Sequence, residues 1–437
     1  MTTTYDDLLV NAQVSFDGQS FEDVTIREVT LGESLLTPGL QTAVTLQSFV
    51  YTQQRKRWMS LKNKNISINM SNRAPDPLGR SMTVQQKIYR IDNRELDINV
   101  GQTETLTVHA CDQTLLNDAK ALVSKSWKCT RPSEIVDYIL QSCVGASNST
   151  VDSADPARDY IAENIHPFQV IAQQANVALD GDDPSFLHYM TFEDNGTHYF
   201  RSLKKLMHQQ PIGEYYHSET NMDLANPSKV INFSFPNDFD LLSDLLNGLD
   251  ENGQNMNSLS TFNPVSMAAQ LLGLGSTGGM AAGGCGMGSG NHKQAITNKG
   301  TSQQQNGCDV DVERYLLKRQ ARMAILERDR ITFRMTIPWE PNLHVGDSVA
   351  FHWMNKTNDS PVFGTSTYLI AALKHNIQTR PTYPEINKTP FLSLDRLDKF
   401  DSKNIQVKTY EGDAVLFLRS LTRPGKRYKS GVSWASY

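Results

Sequence analysis

Apolar and polar residues alternate in short stretches at positions 15–110 of this 437-residue chain and again after position 330. Ile66, Ile68 and Met70 alternate with serine and asparagine, and Met335 and Ile337 alternate with threonine and arginine. A period of two residues is typical of a strand with one buried face. Because such strands, separated by turn residues, pair into antiparallel sheets, the pattern predicts two β blocks, at residues 15–110 and 228–380.

The period changes to that of a helix between the two β blocks. In residues 132–145 apolar side chains recur four apart, with Pro132 at the start and Gly145 at the end. Residues 166–179 repeat the arrangement behind Pro167. Proline suits the first helical position and glycine the position after the last one. The sequence therefore predicts two helices in an α+β middle domain at residues 112–225.

Residues 186–206, FLHYMTFEDNGTHYFRSLKKL, carry aromatic residues on both sides of Asp194-Asn195-Gly196. Asparagine and glycine tolerate the positive φ of a hairpin turn. A tight turn there would place His188 four or five residues from the partner of His198, roughly 13–17 Å away along the strand. Since the ligands of one metal converge to about 2 Å from it, we expect no shared metal ion and a purely architectural hairpin.

The other matches to catalytic, cofactor-binding or metal-binding motifs lack the neighbouring residues or elements that such motifs require. Residues 273–278 fit a glycine-rich dinucleotide fingerprint by spacing, but the segment before them favours a helix and no carboxylate follows before Asp309. Neither the GxSxG nor the HExxH pattern occurs. His109 and Cys111 share a strand face without a second ligand pair, which is typical of ordinary strand residues. The sequence predicts no catalytic residue, no cofactor and no metal site.

Composition excludes several classes of protein. A net charge of −5 with 20% charged residues is unlike a nucleic-acid binder, which carries a basic excess. We expect neither a signal peptide nor a membrane span, because no basic-apolar start and no apolar run of about 18 residues occurs. Scattered cysteines, odd in number, argue against a disulfide scaffold and fit a reducing compartment; they are Cys111, Cys129, Cys143, Cys285 and Cys308.

Two further segments differ from the rest of the chain. Residues 252–308 contain no aspartate or glutamate and are rich in glycine, serine, glutamine and asparagine, which predicts a flexible insertion at 265–309, followed by a helix at 310–328. Residues 414–437 hold five basic residues and no carboxylate, so this end either meets an acidic partner surface or is a solvated tail. The basic residues are Arg419, Arg423, Lys426, Arg427 and Lys429.

Three stretches, in this order, resemble the tail-hub proteins of contractile phages. Residues 158–179, with the helix, and the hairpin at 186–206 resemble the family's middle domain. Residues 316–351, including a strand, a proline break and the turn Leu343-His-Val-Gly-Asp347, resemble its second barrel, and residues 368–377 resemble the strand that closes it. The family comprises the central hub of phage baseplates, the late-control D protein and the hub half of type VI secretion spike proteins.

The resemblance implies a mainly β, α+β fold with two tail-tube-like antiparallel β-barrels and an inserted α+β domain. It also implies a homotrimeric ring, with six barrels, between a hexameric tail tube and a trimeric spike. Expected partners are the tail tube or a tube-initiator protein, the central spike protein, baseplate wedge or sheath-associated proteins and the tape measure. DNA would only pass through the ring. The expected place is the virion, after assembly in the host cytoplasm, and the expected role is structural, not enzymatic.

Under this interpretation residues 1–111 form the first barrel and 112–225 the middle domain. Residues 226–264 and 310–380 form the second barrel, interrupted by the insertion at 265–309, and 381–437 form a C-terminal extension. Two alternatives stay open: a tail-associated cell-wall hydrolase with a hub-like carrier domain, and the hub of a contractile secretion or tailocin particle.

Overall fold

The computed structural model shows a mainly β chain with a small helical layer. It describes residues 9–20, 24–48, 61, 63–72, 80–97, 103–181, 183–218, 230–234, 258–262, 294–298, 333–354, 366–379 and 410–420. The predicted helix at 310–328 and most of the predicted insertion lie outside these residues. No helix among the described residues has the length and apolarity needed to cross a membrane.

Six strands form the first β block, and their inward residues are those that the alternation in the sequence predicts. Ile66, Ile68 and Met70 are buried while Ser67 and Asn69 face outward, which confirms the predicted strand. The six strands are β1 (Leu9–Phe16), β2 (Val24–Ser34), β3 (Gln41–Ser48), β4 (Asn65–Asn72), β5 (Ser81–Asp97) and β6 (Thr103–Cys111).

The middle of the chain contains both predicted helices. Pro132 and Pro167 occupy first-turn positions, and Gly145 ends the first helical run with a left-handed φ of 68°. The elements are α1 (Gln113–Lys120), β7 (Val123–Thr130), α2 (Pro132–Tyr138), a π-helical turn (Ile139–Val144), β8 (Asn148–Val151), β9 (Arg158–Ile165), α3 (Pro167–Val177), β10 (Phe186–Thr191), a 3-10 turn (Glu193–Asn195), β11 (Thr197–Ser202), α4 (Leu203–His208) and β12 (Gly213–Ser218).

The remaining described strands follow residue 230. Three of them, at 333–338, 348–354 and 366–379, lie in the second β block that the alternation predicts. The elements are β13 (Asn232–Ser234), β14 (Ser258–Phe262), β15 (Gln294–Asn298), β16 (Phe333–Pro338), β17 (Ser348–Met354), β18 (Ser366–Thr379) and β19 (Tyr410–Ser420). β14 and β15 pair in parallel with each other.

Twelve of the described strands form one curled sheet. Its pairing runs from β18 through β2, β3, β6, β5, β4 and β1 to β19, and β19 pairs with β18 again. We call this cycle the first curl. The second curl consists of β12, β17, β18, β19, β16 and β13. Its two ends meet where the Val230 N–H donates to the Tyr216 carbonyl over 2.9 Å.

β18 and β19 belong to both curls. Residues Ala372–Gln378 of β18 pair with β2, and its residues 366–369 pair with β17. β19 pairs with β1 at Leu9 and Val10 and with β16 over six residues. Residues 410–420, which the sequence analysis assigns to a C-terminal extension, are therefore a strand between the two β blocks.

The described apolar residues form three buried clusters. One fills the first curl, a second fills the second curl, and a third lies among α2, α3 and the hairpin β10–β11. The hairpin β10–β11 lies between the helical cluster and the cluster of the second curl. Phe186 and Phe200 stack within the helical cluster, whereas Leu187 and Tyr189 contribute to the cluster of the second curl. The aromatic residues of the hairpin thus hold the helical layer against the sheet.

Three cysteines lie among the described residues. Cys111 and Cys143 are free thiols, whereas Cys129 is in a disulfide, which the scattered cysteines of the sequence did not predict. Burial raises the pKa of Cys111 to about 12, with a smaller contribution from the charge of Asp112. A thiol with so high a pKa is a poor nucleophile, so Cys111 serves as a packed core residue.

The alternation of β4 gives a direct test of the first curl. Ile68 is fully buried and its neighbour Ser67 faces outward. We expect Ile68→Ala to lower the free energy of unfolding by about 2–5 kcal/mol, because it removes buried apolar atoms and leaves a cavity. The matched control Ser67→Ala should change it by less than about 0.5 kcal/mol. Urea denaturation measures both, and equal effects of the two substitutions would contradict the register.

Candidate functional site

The predicted partner-binding residues of the basic end are only partly described. Arg419 lies in β19, where its Cα pairs with that of Leu369. Arg423, Lys426, Arg427 and Lys429 lie outside the described residues, as does the fingerprint at 273–278. The prediction that these basic residues bind a partner therefore stays a prediction.

His109 and Cys111 do not form a site either. His109 faces outward, and its Nε2 lies 2.8 Å from an oxygen of Asp92. Cys111 is buried at the end of the same strand. The interpretation of both as ordinary strand residues agrees with this placement. Among the described residues, no three His, Cys, Asp or Glu side chains converge in a way that could hold a metal ion.

The predicted separation of the two hairpin histidines is wrong. His198 pairs with Met190, and the His188 ring stacks on the His198 ring with centroids 5.4 Å apart. The Nε2 atom of His188 lies 3.2 Å from Nδ1 of His198. The reason is the length of the connection, which spans five residues, Phe192–Gly196. Positive φ angles at Asp194, Asn195 and Gly196 shape this connection, so His188 and His198 become diagonal neighbours on one face.

A chain of polar groups runs from this pair into the first turn of α1. Nε2 of the fully buried His198 lies 2.9 Å from the Thr114 hydroxyl, and that hydroxyl donates to Asp112, the N-cap of α1. Asp112 also accepts from the Leu40 N–H over 3.2 Å. The chain therefore connects the hairpin, α1 and the first β block.

Burial keeps both histidines neutral. It lowers the pKa of His198 to about 4, although the charge of Asp112 acts in the opposite direction. Burial also holds the pKa of His188 well below its ordinary value, and the neighbouring His198 lowers it further. Phe168 of α3 packs edge-on against His188 with ring centroids 5.1 Å apart. Two neutral imidazole rings that stack on each other and are covered by Phe168 contribute to packing. They are poorly suited to transferring a proton to a substrate.

The opposite face of the hairpin meets the sheet at a buried carboxylate, Glu33. It accepts from the Phe192 N–H over 2.6 Å, from the Val345 N–H over 2.9 Å and from Nδ1 of His344 over 3.0 Å. These donors come from the hairpin connection and from the loop after β16. We call this contact the Glu33 clamp. It fixes β2, the hairpin and that loop to one another.

Glu33 lies in none of the motifs of the sequence, although its position in β2 carries a signal. In β2 and just after it the buried positions are Val29, Leu31, Glu33 and Leu35, so a carboxylate occupies the apolar register of an alternating strand. A buried carboxylate costs free energy unless hydrogen bonds or a positive charge compensate it. The mismatch between residue type and register therefore predicts donors around Glu33, and the structure supplies three.

A cavity of about 250 Å³ lies beside the Glu33 clamp. Both signs of charge occur in its wall, and the buried Thr191 hydroxyl has no hydrogen-bond partner among the described residues. Polar cavities of this size hold several water molecules. The wall consists of Tyr189, Thr191, Glu193, Tyr199, Arg201, Ile212, Asn342, His344, Val345, Gly346 and Asp347.

Asp347 and His344 are two of the ionisable groups of this wall with altered pKa values. Burial raises the pKa of Asp347 to about 6, although the hydrogen bond from the His344 N–H and the charge of His344 act against it. Burial tends to lower the pKa of His344, but the hydrogen bond and charge of Glu33 outweigh it, so this pKa lies above the ordinary value. The His344–Glu33 contact therefore gains ion-pair character as the pH falls.

Gly346 allows the loop to approach the hairpin closely. Its φ is +91°, and a Cβ atom at this position would lie 2.6 Å from the hydroxyl of Tyr189. Its N–H donates to the Ile370 carbonyl of β18 over 2.9 Å. Only glycine satisfies both the backbone angle and the contact. The turn Leu343-His-Val-Gly-Asp347, noted in the sequence, thus has a structural reason.

His375 of β18 lies near the clamp without a hydrogen bond. It is fully buried, and neither ring nitrogen has a partner among the described residues. Burial lowers its pKa to about 4; the charge of Glu33 opposes this shift and that of His344 adds to it. This histidine is neutral in the folded chain at neutral pH.

Two solved structures of phage tail proteins have a fold similar to that of this chain. The tail protein from Neisseria meningitidis MC58 matches 94% of this chain and 96% of its own length, with 9% identity and a TM-score of 0.50. The 43 kDa tail protein of prophage MuSo2 from Shewanella oneidensis matches 95% of this chain and 98% of its own, with 10% identity and a TM-score of 0.50. The chain has the fold of phage tail proteins.

A third structure is the Escherichia coli c3393 protein, a type VI secretion component described as similar to the T4 tail proteins gp27 and gp5. It matches 94% of this chain and 78% of its own length, with 8% identity and a TM-score of 0.45. No protein-family model and no curated protein matches the sequence. The resemblance to phage tail proteins is confirmed at the level of the fold, through the Neisseria and Shewanella structures.

Buried neutral histidines make the folding stability depend on pH. The folded-state pKa of His375 is about 4 against an ordinary 6.5, so the unfolded chain binds the proton more readily. Stability is then complete above pH 6.5 and falls as the pH drops towards 4. His375 alone should contribute a loss of about 2 kcal/mol between pH 7 and pH 5.

The measurement is urea denaturation at pH 7 and pH 5 for the wild type and His375→Met. The variant should lose less stability on acidification than the wild type. His344 and Asp347, whose folded pKa values are raised, contribute with the opposite sign in both proteins. An unchanged pH dependence in the variant would show that His375 is not buried as a neutral group.

Removing the charge of the Glu33 clamp should be costly. Glu33→Gln keeps the shape of the side chain but replaces one accepting oxygen by a donor that faces buried N–H groups. We expect a loss of about 2–4 kcal/mol in the free energy of unfolding. Glu28→Gln, on the outward face of the same strand, should cost less than about 0.5 kcal/mol. Comparable losses in both variants, measured by denaturation, would argue against the clamp.

Proposed function

We propose that this protein is the structural hub of a phage tail baseplate, a homotrimeric ring that joins the tail tube to the central spike. The observation that carries the proposal is the tail-protein fold, which spans 94% of this chain and 96% of the Neisseria tail protein. A match of that extent takes in both curls and the helical layer between them. No catalytic constellation is needed for such a role.

The two curls support a ring. In our proposal each curl is a tail-tube-like antiparallel barrel, so that three chains present six similar units around one axis. Such an arrangement can match a hexameric tube on one side and a trimeric spike on the other. The shared strands β18 and β19 would hold the two units of a chain at a fixed angle. A ring that closes needs that angle to be constant.

The domain limits of this proposal follow the sequence. Residues 1–111 and the segments 226–264 and 310–380 would supply the two barrels, and 112–225 the middle domain. Residues 265–309 would be a flexible insertion and 381–437 an extension, of which 410–420 pair with both curls. Outward strand edges would be covered by neighbouring copies, with about 1,200 Å² or more buried per pair.

The proposed partners are those of a hub. They are the tail tube or a tube-initiator protein, the central spike protein, baseplate wedge or sheath-associated proteins and the tape measure, with DNA only in transit. The protein would reside in the virion after assembly in the host cytoplasm. The basic end, with Arg419, Arg423, Lys426, Arg427 and Lys429, would meet an acidic surface of one of these partners.

The mass of the assembly tests this function. The chain has a mass of 49.0 kDa, and a trimer has three times that mass. We expect light scattering to give the trimer mass, and negative-stain images to show threefold particles with a central opening, for the chain alone or with its tube and spike proteins. A chain that stays at 49.0 kDa with both partners present at high concentration would refute the proposal.

A further inference from the structure

One side of the first curl carries an outward face without any charge. It consists of nine residues on β1, β4 and β5, all of them serine, threonine, asparagine or glutamine and all at least partly exposed. We call it the neutral face. Its residues are Asn11, Gln13 and Ser15 of β1, Ser67, Asn69 and Ser71 of β4, and Ser81, Thr83 and Gln85 of β5.

The strand register arranges these residues in three rows of three. Gln13 pairs with Asn69, and Asn69 pairs with Thr83. The same register places one row on each side of this middle row. With strands about 4.8 Å apart and rows about 6.8 Å apart, the neutral face measures about 10 Å by 14 Å. The outer rows are Asn11, Ser71 and Ser81, and Ser15, Ser67 and Gln85.

The absence of charge ends at the border of the neutral face. The next row contains Asn65 and Lys87, and beside them Lys64 pairs with Asp17 over 2.6 Å. Charged outward residues occur on other parts of the first curl, and β2, which lies four strands from β4 in either direction around the pairing cycle, has two of them. The described outward residues of β3, which are Gln41, Ala43 and Thr45, carry no charge. The charged outward residues include Arg27, Glu28, Arg90, Asp92 and Lys374.

A protein–protein interface is a poor match for the neutral face. Interfaces draw their affinity from aromatic, arginine and other large anchors, whereas serine and threonine rarely contribute. The neutral face has no such anchor.

Uncharged hydroxyls and amides suit a surface past which a polyanion must slide. DNA binds proteins chiefly by releasing counterions when lysine or arginine neutralises its phosphates. The neutral face has no cation to retain phosphates and no carboxylate to repel them. Duplex DNA can pass such a wall with only weak hydrogen bonds that water replaces.

We propose that the neutral face lines the channel of the ring and is the surface past which duplex DNA moves. This inference rests on the proposed hub function. It orients the first curl, with β1, β4 and β5 towards the axis and the charged β2 side away from it.

Lysines placed on the neutral face test the orientation. The channel variant is Gln13→Lys, Asn69→Lys and Thr83→Lys, which fills the middle row. The matched control is Thr25→Lys, Gln41→Lys and Gln378→Lys, three outward positions on β2, β3 and β18. Both variants add three charges per chain. The single variant Asn69→Lys serves as a milder version if the triple one folds poorly.

The readout compares linear and covalently closed circular duplex DNA of the same sequence on preassembled rings. Lysines in the channel can reach DNA only by threading. The channel variant should therefore bind linear DNA at least tenfold more tightly than circular DNA, and should lose on the order of a thousandfold in affinity between 50 and 200 mM salt. The control variant should not distinguish the two forms, and the wild-type ring should retain neither.

Three results would overturn the inference while leaving the hub function intact. They are a channel variant that no longer forms rings although the control does, one that binds linear and circular DNA equally, and one that forms rings but binds no DNA. A wild-type chain that forms no ring with its tube and spike partners would instead remove the hub function, and this inference with it. Ring formation is measured first by light scattering, so the two failures are distinguishable.

Discussion

The architecture depends on the backbone of one strand, β18. Its residues pair with β2 of the first curl, with β17 of the second and with β19 along nearly its whole length. Each backbone N–H and C=O that is removed from water must find a partner, so neither curl can complete its pairing without this strand. The two β blocks are consequently one sheet that curls twice, although the whole middle domain separates them in the sequence.

The Glu33 clamp fixes the helical layer to that sheet. A carboxylate buried among apolar neighbours costs free energy, and three directed hydrogen bonds, one of them from a histidine, offset the cost. Directed bonds also specify geometry, because they hold the hairpin connection and the turn at Gly346 in a single arrangement. Tyr189, whose hydroxyl lies against Gly346, completes the contact. A rigid junction suits a protein whose proposed role is to join a hexameric tail tube to a trimeric spike.

Much of the local structure follows from the sequence alone. The alternation at Ile66–Met70 and the prolines at 132 and 167 predict a strand and two helices that the structure confirms. The hairpin itself is also predicted, but its register is not. A two-residue turn and a five-residue connection both fit the sequence Asp-Asn-Gly, so the sequence alone does not fix the register of the hairpin. In the structure the longer connection is present and His188 packs against Phe168. The contact between His188 and His198 follows from that longer connection.

Periodicity does not reveal the long-range pairing. Residues 414–418 form an apolar run without alternation, which does not distinguish a central strand from a tail, and β19 pairs with β1 from the opposite end of the sequence. The function of Glu33 depends likewise on the turn at 343–347, which lies in the other β block. In contrast, the neutral face can be identified from the pairing register of three neighbouring strands alone, because the alternate residues of these strands are all uncharged polar residues in the sequence.

Hydrogen exchange across β18 tests most directly whether the two curls are one unit. We expect the amides of Ile370–Ile377 to be among the slowest to exchange, and those of β2 and β17 that face them to exchange with the same opening free energy, since both curls must separate to expose them. If instead the strands before residue 111 and those after residue 333 exchanged with two distinct opening free energies, and β18 exchanged quickly, the curls would be independent and this account would be wrong.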